Sequence, residues 1–120
     1  MISALLLRVS IVLLLCGLVF GVIMGIRQDF TLVPAHAHLN LVGFVLMFLV
    51  GLYYRIVPAA GAGLLAKIQA SLLIIGAIVF PMGIAHTLLG GTEIFVIVGS
   101  LVVLAATALF ALIVFRTAAT

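Results

Sequence analysis

Three histidines and one asparagine are the residues of this chain best equipped for chemistry: His36, His38, Asn40 and His86. They stand out because 68% of the chain is hydrophobic and 6% is charged, so almost any polar side chain sits at a cost. Imidazole is a ligand for iron, copper and zinc. A hard-cation site would need several carboxylates, and only Asp29 and Glu93 exist. The single cysteine, Cys16, has no partner for a disulfide and reads as a small apolar filler. No activated serine or thiol nucleophile is visible. Gly61 and Gly63 in "AAGAGL" lack the strand and helix that a phosphate-binding loop requires.

The elements that must position these residues are four apolar runs, about 4–26, 35–57, 65–89 and 93–115. Each is long enough to cross a hydrocarbon core of roughly 30 Å. Together they use nearly the whole chain. The expectation is one all-α domain, 1–120, an integral-membrane, up-down four-transmembrane-helix bundle with the lipid bilayer as its solvent. Short connections make successive helices antiparallel neighbours. Pro34 suits the start of the second helix, Gly90-Gly91 the end of the third, and Thr92 a cap for the fourth. Alternation with period two is absent, which argues against a β-barrel. Residues 1–26 read as a retained helix, since the apolar run is too long for a signal core.

Charge placement gives an orientation. Arg8, Arg55, Lys67 and Arg116 fall at one end of the spans, and Arg27, Asp29 and Glu93 at the other. The positive-inside rule then puts both termini and the 58–64 loop in the cytoplasm. The basic residues form no cluster, so nucleic acid is not an expected partner. Gly17, Gly21 and Gly25 recur every four residues and form a face that lets helix backbones approach closely. That face serves either packing within the chain or a homo-oligomer.

In this topology all three histidines reach one depth, near the outer face. At about 100° per residue, His36, Asn40, Gly43, Met47 and Tyr54 share a stripe roughly 60° wide that should face the bundle. His38 lies about 200° away, on a face suited to lipid or a partner subunit. The expected pair within the chain is therefore His36 with His86. His38 joins only if the first turn is irregular or a second chain contributes. Gly43, two turns below His36, would leave a flat recess for a porphyrin, with Phe44, Met47, Phe48 and Tyr54 as walls. Pro81, five residues before His86, would kink the third helix and aim its last turn.

The stretch "PAHAHLNLVGFVLMFLVGLYYRIVP" resembles the second transmembrane helix of subunit I in the haem–copper oxidase superfamily. The likeness is greatest to the nitric oxide reductase and C-type oxidase branches, and the whole chain is similar to small bacterial subunit-I-like membrane proteins. In that family the helix opens with an axial histidine of a low-spin haem b and closes on Tyr-Tyr and a proline. His36 stands at the matching distance from Tyr53-Tyr54, with Pro58 beyond, so the resemblance implies a haem-ligand role for His36. Asn40 falls two residues later than the family's asparagine, and His38 has no counterpart. A full subunit I has many more helices and histidines, and its second low-spin ligand comes from a late helix. His86 takes that place here by topology alone. The expected cofactor is a b-type haem between His36 and His86, used for electron transfer or for redox or gas sensing, with a respiratory redox partner. Reduction of O₂ or NO by this chain alone is not expected. Two other outcomes stay open: copper or zinc on His36, His38 and His86, and a structural or assembly subunit without a cofactor.

Overall fold

The computed structural model describes residues 1–117. Four helices account for most of them: α1 (Ile2–Arg27), α2 (Val33–Ile56), α3 (Leu64–Leu88) and α4 (Ile94–Thr117). Each has 24 to 26 residues, about 36–39 Å at 1.5 Å per residue, enough to span a bilayer. The bundle is up-down, as its short connections require. The Tyr53 and Thr117 hydroxyls share a hydrogen bond, and Met1, Pro58 and Lys67 line one cavity. The start of α1, the 58–63 loop and the end of α4 therefore meet at one end, the basic one.

The helix α2 is not uniform. It is α-helical over Val33–His38, π-helical over Leu39–Leu46 and α-helical again over Met47–Ile56. Pro34 sits in its first turn, where a missing N–H removes no helical bond. The π segment starts immediately after His38 and contains Asn40 and Gly43. Insertions of this kind are frequent at functional sites.

Two hairpins make up the bundle. α1 packs mainly along α2, and α3 packs along α4 in the most extensive contact of the molecule. α2 also lies against α3, so it has neighbours on two sides. Lipid offers apolar helices no hydrophobic drive to associate, so close fit must hold them. The α3–α4 seam obtains that fit from glycine. A Cβ at Gly83 would stand 2.6 Å from the Val96 backbone nitrogen, and one at Gly99 would stand 2.7 Å from the Phe80 Cα.

Between the hairpins lies a core that includes Leu6, Met47 and Leu73, all fully buried. It also holds one polar link. The Tyr54 hydroxyl donates to Gln69 Oε1 at 2.8 Å, and Gln69 Nε2 donates to the Ala106 carbonyl at 3.2 Å. Gln69 is fully buried, so both bonds are needed to offset the loss of water around its amide. This chain of bonds ties α2, α3 and α4 together towards their basic ends.

Candidate functional site

His36 and Asn40 lie one above the other on α2 and turn towards α1. Asn40 Nδ2 stands 3.4 Å from His36 Nε2, a long contact. The amide oxygen of Asn40 occupies the space a side chain at Gly17 would fill. The His36 ring does the same one turn along: a Cβ at Gly21 would stand 2.9 Å from its Cε1. Phe20 meets the ring edge-on, with centroids 5.9 Å apart. Gly17 and Gly21 thus meet polar side chains of the same chain, as the packing alternative for that face expects. Gly25 is exposed, and a Cβ there would meet nothing within 4 Å.

Two buried atoms in this seam have no hydrogen-bond partner among the described residues, His36 Nδ1 and Asn40 Oδ1. Turning the amide over exchanges the Asn40 atoms but leaves one of them, and one ring nitrogen, unserved. Unpaired polar atoms are costly at this depth.

His38 takes a different direction. Its Nδ1 lies 2.7 Å from the Pro34 carbonyl. A carbonyl only accepts, so Nδ1 carries the proton, and the lone pair of the neutral ring is on Nε2. Phe80 of α3 meets the ring edge-on at 5.0 Å. His38 itself is therefore half-buried against α3, while Val45, Leu49 and Ile56, expected further along its face, are exposed. The angular separation from His36 holds, but α2 lies between two helices and so has two covered faces.

His86 is used by the end of α3. Gly90 has φ 92°, Gly91 N–H donates to the His86 carbonyl at 2.9 Å, and Gly90 N–H donates to the Thr87 carbonyl at 3.0 Å. These are the two bonds of a Schellman turn, in which the residue three before the cap packs on the residue two beyond it. His86 does this: its Nε2 edge lies against Gly91, and Phe95 meets its ring at 5.2 Å. The ring is exposed and directed to the start of α4. Pro81 lies inside α3, which continues unbroken through it.

The expected clamp is therefore not formed. His36 faces α1, and His86 folds over the α3–α4 turn. Gly43 leaves no recess for a porphyrin, because Leu13 fills the space at 3.1 Å. The groove of about 250 Å³ among α1, α2 and α3 is walled by residues such as Cys16, Phe20, Ala35 and Pro81, and no histidine lines it. A haem between His36 and His86 does not fit this arrangement. Nor does copper or zinc on three imidazoles: among the described residues no three of His, Cys, Asp and Glu gather where they could hold a metal. Met47 and Tyr54 are buried as the stripe requires, but in the inter-hairpin core and not beside an imidazole. Cys16 is exposed on α1.

Sequence reasoning overlooked Gln69 and the glycines of the second hairpin. An amide near the start of an apolar run was a legible signal. Gly76, Gly83 and Gly99 lack the four-residue spacing and were harder to find. Comparison with known protein families, curated proteins and solved structures finds no match to this chain.

Proposed function

We propose that the chain is a haem b-carrying subunit of the bacterial cytoplasmic membrane in which His38 supplies an axial imidazole. One observation carries this reading: the bond from His38 Nδ1–H to the Pro34 carbonyl. Histidines that bind metals almost always donate their other ring N–H to a carbonyl or carboxylate, which fixes the tautomer and raises the basicity of the ligating nitrogen. His38 meets that requirement, and its neighbour Phe80 limits how the ring can turn. The resemblance to helix II of the oxidases supports a haem ligand at this end of α2, at His36; moving the role to His38 rests on the hydrogen bond alone. Haem iron would supply one-electron transfer. The second axial ligand would come from another chain, a second copy or a respiratory redox partner, since His36 and His86 are turned elsewhere.

The test is the reduced-minus-oxidised visible spectrum of protein purified in mild detergent. A b-type spectrum is expected, lost in His38→Ala and kept in His86→Ala. A spectrum that survives His38→Ala overturns the assignment.

A second reading has its own support. His36 and Asn40 fill glycine seats on α1, and His86 covers Gly91 in a helix-ending turn, so these imidazoles serve as packing groups. On that reading the chain is a structural or assembly subunit. Colourless protein whose thermal midpoint falls in His36→Ala and His86→Ala would favour it over the first.

A further inference from the structure

At the basic end of the bundle a cavity of about 710 Å³ opens between α1 and α3. Its walls include Leu5 and Arg8 from α1, and Lys67, Ala70, Ser71 and Ile74 from α3. A second cavity of about 400 Å³ shares Lys67 and extends it towards Tyr54 and Pro58. Arg8 stands about 9 Å inside α1 and Lys67 about 4.5 Å inside α3, at 1.5 Å per residue. Both cations are therefore within the spanning segments and turned to the same space.

The chain offers them no acidic side chain. Its only two, Asp29 and Glu93, lie at the opposite end of the spans. Ser71 is already engaged, its hydroxyl donating to the Lys67 carbonyl at 2.8 Å. Cations at the edge of the hydrocarbon region are costly unless an anion or water reaches them. The other walls, Leu5, Ala70 and Ile74, are apolar and suit a hydrocarbon chain. Two cations above an apolar channel between transmembrane helices complement one kind of molecule: a phosphate joined to an acyl chain.

We propose that this groove binds an anionic phospholipid, with its headgroup phosphate on Arg8 and Lys67 and an acyl chain against Leu5, Ala70 and Ile74. The site is independent of any haem at His38, which lies near the other end of α2.

Binding of phosphatidylglycerol, presented in neutral-detergent micelles to delipidated protein, tests the proposal. Phosphatidylglycerol should bind and raise the thermal midpoint, while phosphatidylcholine should do neither. Arg8→Gln/Lys67→Gln should weaken phosphatidylglycerol binding about thirtyfold. Arg55→Gln/Arg116→Gln, whose residues are at the same end but outside the groove, should bind as the parent does. The charge-keeping Arg8→Lys/Lys67→Arg should also bind, which separates loss of charge from loss of fold. Equal weakening by the Arg55/Arg116 pair would reveal diffuse attraction and overturn the site. Undiminished binding in Arg8→Gln/Lys67→Gln would overturn it too. The same protection by inorganic phosphate alone would assign the groove to a free anion and overturn the lipid.

Discussion

The two hairpins use the same small residue in opposite ways. In α3–α4, Gly83 and Gly99 admit the backbone of the facing helix. In α1–α2, Gly17 and Gly21 admit Asn40 and His36, and the seam holds two polar atoms without a partner among the described residues. Glycine spacing therefore marks where helices can come close but not what fills the space. A seam filled by backbone has no alternative arrangement. One filled by side chains can yield by rotation, at the cost of exposing or misplacing polar atoms.

The comparison can be broken most forcefully at α3–α4. Gly83→Ala and Gly99→Ala each place a methyl group against backbone that cannot rotate away, so the helices must separate. Each should cost about 2–3 kcal/mol, measured by reversible unfolding in mixed micelles, and the double variant should cost most. A loss below about 0.5 kcal/mol in both would show that this seam is as yielding as the other.

Next is the link between the hairpins. Tyr54→Phe removes the donor to Gln69 Oε1 and leaves a buried acceptor unpaired. A loss of about 1–3 kcal/mol is expected in the same unfolding measurement. Tyr54→Phe/Gln69→Leu should cost less than Tyr54→Phe alone, because it removes the stranded acceptor as well.

Gly17→Ala should be milder, about 1 kcal/mol, because the methyl group meets a side chain rather than backbone. The sharper measurement is the cycle with Asn40→Ala. In that background the space is already vacated, so Gly17→Ala should become nearly neutral, a coupling of about 0.5–1 kcal/mol. Strict additivity would mean that Asn40 does not occupy the Gly17 seat.

The smallest effect lies in the exposed turn between α1 and α2. Asp29 accepts from the Thr31 hydroxyl at 2.7 Å and from the Thr31 N–H at 3.1 Å. The side-chain bond, then the backbone bond, and to a lesser degree Arg27 hold its carboxyl below the ordinary value. The stabilisation is therefore complete above the ordinary carboxylate range and is lost as pH falls through the lowered value. Asp29→Asn should flatten the low-pH side of the thermal-midpoint profile and leave the neutral region nearly unchanged. An unaltered acid limb would exclude this carboxyl as a contributor.

Much of the architecture could be read from residue types. Apolar runs of transmembrane length, Pro34 at a helix start and Gly90-Gly91 at a helix end specify four helices and their turns, because hydrophobic length and backbone freedom are local properties. The common stripe of His36, Asn40, Gly43, Met47 and Tyr54 was legible for the same reason, and Gly43, Met47 and Tyr54 are indeed buried. What each stripe faces was not legible. Leu13 closes the recess expected at Gly43, and Phe80 meets the ring of His38, expected to face lipid or another subunit.

By itself, then, the sequence determined that the chain has four runs able to cross a membrane, that four of its five basic residues lie at one end, and that its imidazoles lie at the other. Tertiary structure alone decided how the imidazoles are directed: His36 to α1, His38 to α3 and His86 over its own helix-ending turn. The reason is geometric. Helical period fixes the angle between two residues on one helix, but the neighbour each meets depends on which helices flank it. That in turn depends on where glycine lets another backbone come near.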